Sequence, residues 1–352
     1  MWFSVAARAL LGASMATAMA LPAAGSTAPK DPGHTMKLFT LEQMKEAFSN
    51  GTLPPIKAPV SFKEPSNKGS QDDVKKMFKI NAVNDNAGCS ANPNMRFEWR
   101  DYSDSDRHAL VDSIQCLRSR PARIGGSNNR FEDFAVIHRD YSPQIHNNQK
   151  FLLWHRYFLW AFEQVLREEC GFNRAFVWWD ETKDAGHFSQ MDMFSPTFFG
   201  TMHGCLNDGK FAGIQQIGGG CVSREGTAEN TAQCNTDFEN YCRGMGNYPD
   251  FERCWEYGPH GYGHNGIGGT MAYVEISPSD PAFYMHHTYV DRVYRVWQNA
   301  DPARRTSISG LTADGSPLTM DTIISLGGIK PDVRVRDVID TLDGVMCYRY
   351  TY

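Results

Sequence analysis

Histidine is the residue type with the clearest chemical potential in this chain, because six of the eleven histidines fall into two groups of three. The first group is His138, His146 and His155, and the second is His260, His264 and His287. Apolar residues around them recur every three or four positions, which predicts helices that direct these side chains inward. A buried imidazole needs a hydrogen-bond partner, a depressed pKa or a metal. Six such imidazoles on a few helices therefore predict metal binding.

The spacing of the first group predicts that its members converge. His138 lies one turn after Phe134 and shares the buried face of that helix. His155 lies three residues before Phe158 on the next helix, and His146 lies between the two, at the helix entrance. Three imidazoles from two helices and their connection can thus meet at one point.

The second group follows the same logic. His260 and His264 form an HxxxH pair, a spacing that puts two side chains on one face of a helical turn, although the glycines of PHGYGHNGIGG weaken the helix prediction. His287 lies one turn after Phe283. The adjacent His286 points about 100° around the helix, so we expect it behind the ligands or at the surface.

The ligand type indicates which metal binds. Sites built only from imidazole argue against calcium, magnesium and iron–sulfur clusters, and they suit copper or zinc, with copper favoured by the Irving–Williams order. Zinc remains the alternative for either triad alone. Two open three-histidine sites that face each other across a helical bundle suit the binding of dioxygen between two metals.

Four segments with helical apolar spacing must position these histidines. Their buried stripes are Leu110, Ile114 and Leu117; Phe131, Phe134 and Ile137; Phe151, Trp154, Phe158, Phe162, Val165 and Leu166; and Phe283, Val290, Tyr294 and Trp297. The third should end at Cys170-Gly171, and the fourth should begin at Asp280-Pro281. The alternating tail, residues 333–352, predicts short strands. The predicted fold is mainly α, a central helical bundle carrying a dinuclear copper site, with short peripheral strands and disulfide-stapled loops.

The N-terminal region predicts secretion and an arm. Residues 1–20 carry Arg8, an apolar stretch and small residues, a pattern typical of a signal peptide and shorter than the ~20 apolar residues that span a bilayer. Residues 21–88 should form an N-terminal arm that wraps the main domain, residues 89–352. Within the arm, LEQMKEAF after Thr40 predicts a short capped helix.

The net charge and the cysteine content limit which partners and which cellular compartment are compatible with this chain. A net charge of -5 offers no basic surface for nucleic acid or an anionic membrane. Nine cysteines suit an oxidising, extracellular compartment, and the odd number leaves at least one thiol outside a disulfide. Five of them lie in one Gly-rich region that disulfides should staple: Cys205, Cys221, Cys234, Cys242 and Cys254. The pairing cannot be read from the sequence.

Three histidine-rich blocks carry a likeness to a known family. They are HNNQKFLLWHRYFLWAFEQVL, PHGYGHNGIGG and DPAFYMHHTYVDRVYRVWQ, and further signals run from Cys89 to the Tyr348-Arg349-Tyr350 motif. Over roughly residues 89–350 the chain resembles the type 3 copper proteins, which are tyrosinases, catechol oxidases and haemocyanins. The resemblance implies two copper ions with three histidines each, and oxidation of phenols or catechols by dioxygen to o-quinones.

The resemblance also implies roles around the metals. Glu256, four residues before His260, resembles the glutamate that holds a water near the coppers, and it could take the proton of a phenol. Gly261 stands where strong monophenol hydroxylases often carry asparagine, and Asn265 could compensate in part. Val274 resembles the position of a bulky gate in plant catechol oxidases, so a valine there should leave access to the site open.

These features predict oxidation of o-diphenols with weaker or no hydroxylation of monophenols. The partners would be dioxygen and a small phenol. Gln144 stands where several fungal members carry a thioether-forming cysteine, so no crosslink to His146 is expected. The chain ends just after the Tyr-Arg-Tyr motif, so we expect no C-terminal lid. The alternatives are a non-catalytic oxygen carrier like haemocyanin, an o-aminophenol oxidase, and a disulfide-stapled binding protein without copper.

Overall fold

The computed structural model describes residues 33–53, 89, 92–343 and 345–351, so the predicted signal peptide lies outside the described residues. The helices are α1 (Leu41–Asn50), α2 (Asp104–Ser119), α3 (Arg130–Ile145), α4 (Phe151–Cys170), α5 (Ala228–Thr231), α6 (Thr236–Arg243), α7 (Tyr248–Trp255), α8 (Gly261–Ile267), α9 (Ala282–Asn299) and α10 (Val335–Val338). The strands are β1 (Asn94–Glu98), β2 (Phe176–Trp178), β3 (Gly204–Cys205), β4 (Ser223–Arg224), β5 (Ile323–Ile324), β6 (Val333–Arg334) and β7 (Tyr348–Tyr350).

The four predicted long helices are confirmed as α2, α3, α4 and α9. Helix α4 is buried from its first residue to Leu166 and packs against α2, α3 and α9. Its C-terminus is closed by Gly171 in the left-handed conformation, with φ of 67°. The carboxylate of Asp280 accepts a hydrogen bond from the backbone N–H of Ala282 at 2.9 Å and begins α9. The long apolar helices therefore form the core that carries the histidines.

Strands are short and peripheral, as expected, but the tail is only partly strand. β1 lies between β2 and β7, parallel to both. The alternating tail does form β7, and Val333–Arg334 pairs antiparallel with β5. The prediction of strand is wrong directly after Arg334, over Val335–Val338, because Asp337 accepts a hydrogen bond from the Arg334 N–H at 2.7 Å and starts the short helix α10.

A buried charged network joins the sheet to the bundle. Asp291 on α9 pairs with Arg156 on α4 at 2.6 Å, and it accepts hydrogen bonds from the hydroxyls of Tyr348 and Tyr350 on β7. Arg96 on β1 donates to the Tyr350 hydroxyl at 2.8 Å. Burial tends to raise the pKa of Asp291, but Arg156 and Arg96 outweigh it and hold that pKa below its ordinary value. The Tyr-Arg-Tyr motif thus has a structural role.

Eight of the nine cysteines form disulfides. The pairs are Cys89–Cys347, Cys116–Cys170, Cys205–Cys221 and Cys242–Cys254. Two of them staple the Gly-rich region, and the buried Cys234 is the unpaired thiol that the odd number required. Cys116 is engaged with Cys170, which rules it out as a thioether partner for His146. Over the described residues, no helix is both long enough and apolar enough to cross a bilayer.

The described part of the predicted arm, residues 33–53, contains the expected helix. Thr40 and Gln43 form a reciprocal capping box, with the Gln43 side chain accepting from the Thr40 N–H at 2.9 Å. Helix α1 continues two residues beyond the predicted Phe48, to Asn50, where Gly51 ends it with φ of 69°. The residues before α1 run along the main domain, and their contacts are described below.

Candidate metal centre

The first predicted triad comes together in the core. His138 lies on α3, His146 directly follows α3, and His155 lies on α4. The three rings are buried, with centroids 5.0 to 5.4 Å apart. One nitrogen from each ring lies within 4.8 Å of the others, so a single ion could contact all three.

The second triad also comes together, on a less regular backbone than the HxxxH spacing suggests. His260 ends a π-helical turn, Glu256–His260, in which Gly258 leaves helical geometry with ψ of -116° and Pro259 cannot donate a hydrogen bond. His264 lies on α8 and His287 on α9. The rings of His260 and His264 are 4.7 Å apart, and each lies within 5.2 Å of His287. The rings of His260 and His264 are therefore brought together by a distorted turn, although the glycines around them weakened the prediction of a helix.

Backbone carbonyls fix the orientation of four of these rings. Each accepts a hydrogen bond from a ring Nδ1, which leaves the lone pair of Nε2 directed into the cluster. The pairs are His146 with Ser142 (3.1 Å), His155 with Phe151 (2.9 Å), His260 with Glu256 (3.1 Å) and His264 with Met271 (2.8 Å).

The inner nitrogens of these rings face one another. Nε2 of His155 lies 3.3 Å from Nε2 of His138, and Nε2 of His264 lies 3.1 Å from Nε2 of His287. Nε2 of His260 has no hydrogen-bond partner among the described residues. Burial lowers the pKa of all six imidazoles, so the rings are neutral and each of these contacts can hold at most one proton. Converging neutral imidazoles fit a bound transition metal such as copper.

The two triads are neighbours. The His155 ring of the first stacks on the His287 ring of the second, with centroids 4.5 Å apart. Phe151 lies 4.6 Å from both His155 and His260, and Phe283 lies 4.0 Å from His287. Aromatic rings thus hold both clusters in one apolar chamber.

Of the two positions expected for His286, behind the ligands or at the surface, the structure shows the first. The side chain is fully buried, and its ring lies 5.3 Å from His260 and 4.6 Å from His264. Its Nδ1 hydrogen-bonds the buried carboxyl of Glu181 at 2.5 Å. The sequence offered no sign of Glu181, because the residue is brought to α9 from a loop about a hundred positions earlier.

Glu256 is fully buried beside the second triad and shares its environment with a second acid. One of its oxygens accepts a hydrogen bond from the backbone N–H of Asn147 at 2.8 Å. Burial raises the pKa of Glu256 to about 7, against hydrogen bonds from Glu252 and Asn147. Burial raises the pKa of Glu252 further, so Glu252 is the protonated member of the pair. The i, i+4 spacing of the two glutamates was a signal that could have revealed this pair.

The three predicted substrate residues lie in different surroundings. Val274 lines the cavity at the metal centre. Asn265 turns its side-chain amide back to the Gly261 carbonyl at 3.0 Å, so that amide is already engaged. At Gly261 a Cβ would lie 2.5 Å from a methyl carbon of Leu38. Leu38 belongs to the N-terminal arm, and nothing in its sequence context pointed to this site.

The expectation of an open entrance is wrong. The cavity beside His146, His260 and His264 has a volume of about 10 Å³ and is also lined by Met36 from the N-terminal arm. That volume accommodates about one water molecule. Val274 alone therefore does not set access, because a segment remote in sequence lies over the same opening.

Comparison with known proteins supports one family. The family model for the common central domain of tyrosinase matches residues 128–300, which include all six histidines. The chain is 29% identical over 336 residues to Tyrosinase P from Aspergillus terreus, with 74% of this chain and 92% of that protein covered. It is 25% identical over 348 residues to N-acetyl-6-hydroxytryptophan oxidase from Emericella nidulans, with 74% and 93% covered.

Solved structures share the fold. A polyphenol oxidase from Thermothelomyces thermophila superposes with a TM-score of 0.69 at 22% identity, covering 89% of this chain and 98% of that one. A tyrosinase from Burkholderia thailandensis gives 0.56 at 15% identity, with 74% of each chain covered. The mainly helical architecture is therefore common to all three proteins.

Proposed function

Because this chain belongs to the tyrosinase family of oxidoreductases, whose members use a type 3 dicopper site, we propose that it oxidises o-diphenols to o-quinones with dioxygen. The observation that carries the proposal is the convergence of two buried imidazole triads in one chamber. The proposed copper ligands are His138, His146 and His155 for one ion and His260, His264 and His287 for the other. His286 lies in the same group as the second set, but its Nδ1 is engaged by Glu181. Bound copper would supply the electron transfer to dioxygen that amino-acid side chains cannot provide.

We assign Glu256 the role of proton acceptor. An o-diphenol gives up two electrons and two protons when it becomes an o-quinone. A base beside the site would assist this oxidation by accepting a proton. A buried carboxyl with a pKa of about 7 can accept and release a proton at neutral pH. Glu252 and the N–H of Asn147 hold that carboxyl in place.

Preference for diphenols over monophenols follows from what surrounds Gly261. This residue has no side chain that could orient a water for Glu256. The side-chain amide of Asn265, the nearest substitute expected from the sequence, donates to the Gly261 carbonyl instead. Proton removal from a monophenol, the less acidic substrate, is therefore poorly assisted.

Secretion is part of the proposal. The four disulfides need an oxidising compartment to form and persist. The first twenty residues have the pattern of a signal peptide. Recovery of the protein from the culture medium, with its N-terminus cleaved near residue 20, would support this placement.

Oxygen uptake by the copper-loaded protein tests the activity. We expect sustained turnover of catechol, slower turnover of phenol, and two coppers per chain by atomic absorption. His155→Ala should lose at least one copper and the turnover. Full copper content and activity in that variant would refute the ligand assignment. Oxygen uptake that stops at one dioxygen per site would indicate a carrier. Faster turnover of o-aminophenol than of catechol would indicate an o-aminophenol oxidase instead of an o-diphenol oxidase.

A further inference from the structure

A short segment before helix α1 crosses the opening of the metal centre, and we call residues 33–39 the strap. Near its start, the Val274 N–H donates to the His34 carbonyl at 3.0 Å, and Thr35 forms an antiparallel bridge with Tyr273. At its end, the Phe39 N–H donates to the Tyr257 carbonyl at 3.2 Å. The strap is thus attached on both sides of the opening, once beside Val274 and once in the turn that carries His260.

Two side chains of the strap point into the opening. Met36 lines the cavity together with His146, His260 and His264. Leu38 lies against Gly261, where a Cβ would come within 2.5 Å of a Leu38 methyl carbon and 3.9 Å of the Met36 methyl carbon. Lys37, between them, is exposed. This alternation is that of an extended strand with one face directed at the metal centre.

The space left under the strap is too small for an aromatic substrate. A cavity of about 10 Å³ holds about one water molecule, whereas ligand pockets for small organic molecules measure some hundreds of Å³. Met36 lines this cavity beside His146, His260 and His264, and Leu38 packs against Gly261, the residue that follows His260. A phenol therefore cannot reach this site while the strap is in place.

The N-terminal anchor of the strap is polar and partly exposed, whereas Phe39 at its other end is buried against Tyr257. His34 donates its backbone N–H to Glu275 at 2.9 Å, and its Nδ1 lies 2.5 Å from the other oxygen of that carboxyl. The His34 side chain is 57% exposed, so this contact is open to solvent. No disulfide holds residues 33–39, which contain no cysteine. A few hydrogen bonds at the surface can open without unfolding the core.

We propose that the strap is a built-in cover of the active site, in which Met36 and Leu38 occupy the place of the substrate ring and must move before a phenol binds. The inference rests on the proposed function, since it concerns access to that same site. Displacement of the strap would then limit the apparent affinity for phenols, because only the open fraction of the molecules binds substrate. The strap would also favour small phenols over bulky ones.

Two variants test the cover from different directions. Met36→Ala combined with Leu38→Ala removes the side chains that fill the opening, and Glu275→Gln weakens the anchor of His34. Glu42→Gln is the matched control, because Glu42 is an exposed acid on α1 outside the strap. Each copper-loaded protein is challenged with cyanide, and copper loss is followed by atomic absorption. The same proteins are assayed with catechol and with 4-tert-butylcatechol.

We expect both test variants to lose copper to cyanide roughly tenfold faster than the wild type, and to gain more in kcat/KM for 4-tert-butylcatechol than for catechol. The Glu42→Gln control should match the wild type. Unchanged copper loss and unchanged selectivity in both test variants would overturn the cover and leave the oxidase function intact. Faster copper loss without turnover of any phenol would support the cover and refute the oxidase. Absence of copper binding in the wild type would overturn both.

Discussion

At the residue scale, the chemistry of the site depends on where protons reside. The six imidazoles are neutral because burial disfavours their charged form, and four of them present Nε2 inward because Nδ1 is held by a backbone carbonyl. Glu256 is the group near the site whose pKa lies close to neutrality. In the proposed function, metal binding and proton transfer are thus divided between different side chains.

Glu256→Gln separates these two tasks. The variant keeps the backbone carbonyl that orients His260, so copper content should stay at the wild-type level. It loses the proton acceptor, so we expect kcat to fall by roughly 10²-fold or more, with phenol affected more than catechol. Oxygen uptake and atomic absorption measure the two effects in the same sample. Wild-type turnover in the variant would show that Glu256 is not the base.

At the element scale, helices α4 and α9 and strands β1 and β7 are held in register by the network around Asp291. These helices carry His155 and His287, so their relative position sets the contact between the two triads. The network is buried, and a buried charge that loses its partner is strongly destabilising. Disruption of this network should therefore affect the stability of the fold more directly than it affects catalysis.

Asp291→Asn should reduce the free energy of unfolding at pH 7 by about 3 to 5 kcal/mol, because Arg156 and Arg96 lose their shared counter-charge. The pKa of Asp291 is lowered in the folded protein, so its contribution is present above the ordinary carboxyl pKa of about 3.9 and is lost as pH falls below that value. Urea unfolding at pH 7 and at successive pH values below about 3.9 measures this. Equal stability of variant and wild type at pH 7 would contradict the argument.

At the scale of the whole molecule, the covalent links connect parts that are far apart in sequence. Cys89 and Cys347 enclose 258 positions, and Cys242 and Cys254 enclose 12. In the chain-entropy account, a longer loop restricts the unfolded chain more. The first disulfide lies next to β1 and β7, so it also closes the sheet.

Replacing both cysteines of a pair by serine compares the two disulfides. The Cys89/Cys347 double variant should lose up to about 5 kcal/mol of unfolding free energy, and the Cys242/Cys254 double variant about 3 kcal/mol. Calorimetric Tm values of the oxidised proteins give the order. A larger loss for the shorter loop would mean that local packing, rather than loop length, determines the contribution of these disulfides.

Local sequence patterns determined the long helices, their ends and the histidines of the candidate site. The spacing of apolar residues predicted α2, α3, α4 and α9, because a helix with one buried face has apolar residues that recur about every 3.6 positions along a continuous stretch of sequence. The same spacing singled out the six histidines, and the odd cysteine count required one free thiol. Turn chemistry located the Gly171 cap and the start of α9.

Only the tertiary structure shows which residues that are far apart in the sequence come into contact. The structure joins residues about a hundred positions apart or more in three places: His286 pairs with Glu181, Leu38 contacts Gly261, and Met36 lines the cavity beside His146. No periodicity encodes such contacts, because they depend on how packed elements place their loops. The proposed ligand set was therefore readable in the sequence, whereas the segment that lies over it was not.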